Sequence, residues 1–177
     1  VEDKRKAAAL TQRGVDLFFQ SRYDEALAAL EEATTVDPAA SRPWSARALC
    51  MAQLGNPRLG MTLAERALEL DRNAPMAYTA RATCRRRLGD GDGARADFER
   101  GMALAPDDYR VYYNYACHWA ELGREEECRQ MLAMAFDLAP GHFAAVATAD
   151  PDLARYSRRE WFRDLTVALR QRAALGG

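Results

Sequence analysis

From Trp44 the chain reads WSARALCMAQLGNPRLGMTLAERAL, and 34 residues later, from Tyr78, it reads YTARATCRRRLGDGDGARADFERGM. Superposed, Trp44 meets Tyr78, Ala48 meets Ala82, and Leu54-Gly55 meets Leu88-Gly89. Gly60 then meets Ala94, Ala64 meets Phe98 and Ala67 meets Gly101, with Pro106 closing the second copy. A fixed period in this range marks stacked repeats, each one supersecondary unit that buries its apolar face only against its neighbours.

The pattern extends in both directions. A large apolar anchor recurs as Leu10, Trp44, Tyr78 and Tyr112, with Gly14, Ala48, Ala82 and Ala116 four residues on. Small residues recur at Ala26, Gly60, Ala94 and Cys128, and again at Ala33, Ala67, Gly101 and Ala135, with Leu30, Ala64, Phe98 and Leu132 between. Small residues let two antiparallel helices approach closely while a large neighbour fills the notch. Apolar residues at helical spacing predict helices over 7–20, 24–36, 43–54, 57–70, 76–88, 91–104, 108–122 and 124–138. Pro57 suits a first helical turn, Asp37-Pro38 is a stop, and no segment carries a strand pattern.

Four such units in phase resemble the tetratricopeptide repeat, whose 34-residue pattern they follow over about residues 7–142. The resemblance implies an all-α, right-handed superhelical solenoid of four helix-turn-helix units (7–40, 41–74, 75–108 and 109–142), after a lead-in at 1–6. Arg13, Arg47 and Arg81 depart from the family pattern, standing where Leu is usual, and Arg72 replaces the closing proline of the second unit. Arg81 and Asp97 are expected to pair within their repeat.

After Pro140 the phase fails, and residues 143–177 are expected to form a helical cap of the type that ends many bacterial repeat proteins. Phe143 and Val146 start like a fifth unit, but Asp150-Pro151 falls where a small packing residue belongs and reads as an N-cap with proline at the first helical position. Ser157 and Glu160 read as a capping box. The last helix is expected to pack through Trp161, Leu165, Ala168 and Leu169, with Phe162 beside them.

Composition limits the function. The net charge is -1 and the pI near 6.2, unlike the strongly basic balance of a nucleic-acid binder, and no apolar run approaches the ~20 residues of a membrane helix. Val1-Glu2-Asp3-Lys4 has no signal-peptide apolar region and no initiator Met, so a piece of a longer chain is expected. Cys50, Cys84, Cys117 and Cys128 form no CxxC pair and read as reduced core thiols, which favours a cytoplasmic location. Gly89-Asp90-Gly91-Asp92-Gly93 lacks the Lys and Ser/Thr of a phosphate loop and reads as a turn with a capping Asp. Cys117, His118 and Cys128 are the only candidates for a metalloprotein or enzyme. No catalytic residue, metal or cofactor is expected.

The resemblance places the first helix of each unit on an inner, concave face. That face takes Thr11, Val15, Phe18 and Phe19 from the first unit, and Arg42, Ser45, Leu49 and Ala52 from the second. The third gives Met76, Thr79, Thr83, Arg86 and Arg87; the fourth gives Arg110, Tyr113, Asn114 and Cys117. An apolar end beside an arginine-bearing end suits a protein or peptide partner with a hydrophobic anchor and an acidic portion. The two-carboxylate clamp of chaperone-binding relatives has no counterpart, since Thr11, Val15, Ala46, Met76 and Ala80 occupy its places. The alternative implied by the resemblance is a bacterial secretion chaperone holding an exported client.

Overall fold

A computed structural model describes residues 2–139 and 144–175. Its helices are α1 (Glu2–Phe19), α2 (Tyr23–Val36), α3 (Ser41–Gln53), α4 (Pro57–Leu70), α5 (Pro75–Arg87) and α6 (Gly91–Leu104). Then follow α7 (Tyr109–Glu121), α8 (Glu125–Leu138), α9 (Ala144–Ala149), a 3-10 helix (Pro151–Tyr156) and α10 (Glu160–Leu175). No strand occurs among the described residues. The chain divides into two compact units, Val1–Pro106 and Asp107–Gly177.

The first unit is three antiparallel hairpins, α1/α2, α3/α4 and α5/α6, stacked so that α3 packs on α2 and α5, and α4 on α5. The charged residues 2–6, set apart in the sequence reading, extend α1, and Lys6 pairs with Glu32 of α2 at 2.9 Å. The core follows the small-residue register. Ala26, Leu30 and Ala33 of α2 are buried, as are Ala48, Ala64, Ala67, Ala82, Ala94 and Phe98. A methyl group on Gly60 would lie 2.6 Å from Cys84 Sγ and 2.9 Å from the Ala48 carbonyl, so this notch accepts hydrogen only.

The anchors have a second task. Trp44 Nε1 donates to the Pro38 carbonyl at 3.0 Å, and Tyr78 OH donates to the Arg72 carbonyl at 3.1 Å, 34 residues along. The bond uses only main chain at the receiving position, which is why Arg72 can replace the repeat's closing proline. Each hairpin turns through a residue at positive φ: Gly55 at 81°, Gly89 at 84° and Gly123 at 71°. The first hairpin uses Ser21, at 59°.

In the second unit α7 and α8 form the fourth hairpin, the 3-10 helix packs on α7, and α10 packs on α8 and α9. Asp150 caps the 3-10 helix, accepting from the Asp152 N–H at 2.8 Å, with Pro151 in its first turn, as the sequence indicates. Two expectations for the tail are corrected. No capping box forms: Ser157 Oγ donates back to the Ala154 carbonyl at 2.8 Å, because Ser157 ends the 3-10 helix and α10 begins only at Glu160. The buried face of α10 carries Phe162 and Thr166, whereas Trp161 and Leu165 are half-buried and Ala168 is exposed. Trp161 sits on the flank because its indole N–H donates to Glu125 Oε1 of α8 at 2.8 Å. Phe143, the end of the fourth repeat at 142, and the side chains of Val146 and Leu169 lie outside the described residues.

Candidate protein-interaction face

In the first unit the face built from α1, α3 and α5 separates into a covered and an open part. Thr11, Ser45 and Thr79, in equivalent places 34 residues apart, are all buried. Each hydroxyl donates to the carbonyl one turn back: Thr11 to Ala7 at 2.6 Å, Ser45 to Ser41 at 3.1 Å and Thr79 to Pro75 at 3.2 Å. Small side chains satisfied within their own helix let successive first helices lie close. Thr83, Val15, Leu49, Ala52 and Arg86 are buried too.

The open part is Phe18, Phe19 and Met76, all half-buried, with exposed Arg42 and Arg87. Phe18 and Phe19 meet edge-on at 5.5 Å between ring centres, and Tyr23 of α2 stands 5.4 Å from Phe18. Phe18, Phe19 and Met76 pack against the cluster of Val15, Leu17, Ala26, Leu30, Ala46 and Cys50, and Phe18 and Met76 also against the neighbouring cluster that holds Ala48, Leu49 and Leu63. One edge of these side chains is thus fixed by the core and the other is open to solvent. Arg42 Nη2 donates to Gln12 Oε1 at 3.0 Å, and Arg87 Nη2 to Gln53 Oε1 at 3.1 Å, each bond linking one first helix to the next. Gln12, Gln53 and Tyr23 were missed in the sequence reading. The register could have given Gln53, which shares the repeat position of Phe19 and Arg87.

Other arginines serve the scaffold. Arg47, over the Trp44 ring at 5.1 Å, reaches Glu31 at 3.2 Å and Thr34 at 3.1 Å. Arg81 and Arg85 share Asp97, at 2.7 and 3.0 Å.

In the second unit, Arg110 is fastened to Asp108 by two bonds of 2.7 Å, and these hydrogen bonds raise its pKa further. Asn114 Nδ2 donates to the Arg110 carbonyl at 2.8 Å. Tyr113 is buried and donates to Asp150 Oδ2 at 2.7 Å; burial above all, then the negative groups around it, pushes its phenol pKa well up. Cys117 is buried beside it. Of the fourth-repeat residues assigned to the face, Arg110 is half-buried and Tyr113, Asn114 and Cys117 are buried.

Among the described residues Cys117, His118 and Cys128 do not bring their ligand atoms together as one group. Cys117 lies with Asp150 and Asp152, their ligand atoms within 4.8 Å of one another, while the His118 ring packs beside Tyr115 and Trp119. Burial pushes the thiols of Cys50, Cys84 and Cys128 up to about 12, so they stay protonated and pack as small apolar groups. The glycine-rich turn is a helix start, with Asp90 Oδ1 accepting from the Gly93 N–H at 2.9 Å.

A stack of antiparallel helix pairs with this register defines a helical-hairpin repeat protein. Residues 86–150 match the family described as Tetratricopeptide repeat. Among curated proteins none matches. Similar solved structures include TTC0263, a thermophilic TPR protein of Thermus thermophilus, with a TM-score of 0.70 and 17% identity over 96% of this chain and 90% of that one. Pseudomonas aeruginosa pilF is similar at a TM-score of 0.60 and 16% identity, over 100% of this chain and 79% of that one. The first TPR of Spaghetti (RPAP3), bound to the HSP90 peptide SRMEEVD, is similar at a TM-score of 0.53 and 24% identity, over 72% and 91%. At these identities the likeness is one of fold. No described helix is long and apolar enough to cross a membrane.

Proposed function

We propose that the chain is a non-catalytic protein-interaction module whose first-helix face holds a peptide or partner surface with an apolar anchor and acidic residues. The observation that carries this reading is half-buried Phe18 and Phe19 on α1 and Met76 on α5, with exposed Arg42 on α3, the helix that packs against both. Aromatic side chains already fixed on one edge lose little freedom when a partner covers the other. A guanidinium at the rim adds bidentate capture of a carboxylate.

The peptide held by the Spaghetti (RPAP3) domain carries acidic residues, SRMEEVD. This chain lacks the two-carboxylate clamp residues at Thr11, Val15, Ala46, Met76 and Ala80, so its acidic preference rests on rim arginine instead. In this reading Thr11, Val15, Ser45, Leu49, Thr79 and Arg86 support the face from beneath, and Arg110, Tyr113 and Asn114 support the fourth hairpin. Four free thiols fit a reducing, cytoplasmic-type compartment.

Selection of a displayed random-peptide library on immobilised protein tests the reading. Enriched sequences should combine a large apolar residue with Asp or Glu, and Arg42→Glu should remove the acidic bias. Enrichment with neither bias, or none at all, would overturn it.

A further inference from the structure

We draw no further inference here: the strongest candidate, the cluster of Cys117, Asp150 and Asp152 at the start of the 3-10 helix, is an acidic cap whose Asp150 oxygens already accept from the Asp152 N–H and the Tyr113 hydroxyl, and no second observation points to a ligand there.

Discussion

Arg81 and Asp97 form a two-armed ion pair across the third hairpin, Nε to Oδ2 at 2.8 Å and Nη2 to Oδ1 at 2.7 Å. The carboxylate is almost wholly buried, with 6% of its side chain exposed against 22% for the arginine. Arg85 adds a second cation at 3.0 Å. The equivalent place in the second hairpin is apolar, Leu63, and its arginine, Arg47, turns back to Glu31 instead. One repeat position has therefore been filled in two ways, and the acid and the direction of its arginine change together.

Removing Asp97 alone leaves two arginines facing an apolar notch. Asp97→Ala should destabilise by about 2–4 kcal/mol, somewhat below a fully buried pair because Arg81 keeps partial solvent contact. Arg81→Met with Asp97→Leu, which places at 97 the residue type of Leu63 and removes the facing cation as well, should recover most of that loss. Urea denaturation of the three proteins checks this; a double variant as unstable as Asp97→Ala would contradict it.

Ser21 adopts the left-handed conformation that Gly55, Gly89 and Gly123 take at the other three turns. A side chain there costs about 1–2 kcal/mol, offset in part by the larger unfolded-state freedom of glycine. Ser21→Gly should therefore stabilise the protein by about 0.5–1 kcal/mol. A lowered denaturation midpoint would show that the turn gains more from the serine than its backbone loses.

Burial holds three thiols at a pKa of about 12, against 9.0 for an unperturbed group. At pH 8 their thiolate fraction is then about one in ten thousand, and iodoacetamide should label them only on unfolding. The sign of the linked pH effect follows. The unfolded chain loses these protons above pH 9 while the folded chain keeps them, so stability is intact below that pH. It falls as pH rises toward 12, by up to about 1.4 kcal/mol per thiol per unit. Equal alkylation of native and unfolded protein at pH 8 would refute the burial of these groups.

Phe162, not Trp161, is the buried anchor of α10. Phe162→Ala should cost about 3–5 kcal/mol and Trp161→Ala about 1–2. Hydrogen exchange over residues 144–175, read with the denaturation curves, separates the two. Losses in the reverse order would return the packing face to Trp161.

The repeat register made the four hairpins legible, since anchors and small residues recur at places where only close helix packing explains them. The pairing of Arg81 with Asp97 was legible for the same reason. The tail was harder. Ser157 has the spacing of a capping box, but the 3-10 helix that Asp150-Pro151 starts ends at Ser157 and claims its hydroxyl. Trp161 and Phe162 are adjacent and both apolar, so periodicity alone could not say which one faces inward; an indole N–H with Glu125 in reach decides it. On the candidate face, phase identified the first-helix residues but not their depth. Thr11, Ser45 and Thr79 read as polar groove residues, yet each satisfies its hydroxyl on its own helix and lies buried. Arg110 reads as part of the arginine-bearing end of the face, yet the helix-capping Asp108 holds it.

The central claim is that Phe19 and Arg42 contribute together to recognition on the first-helix face. The direct measurement is calorimetric titration of a library-selected peptide into wild-type protein, Phe19→Ser and Arg42→Glu, each variant first shown to be folded by circular dichroism. Each variant should weaken binding about tenfold or more, equivalent to about 1.4 kcal/mol, and added salt should weaken the wild type more than Arg42→Glu. Unchanged affinity in both folded variants would contradict the account and move recognition off this face.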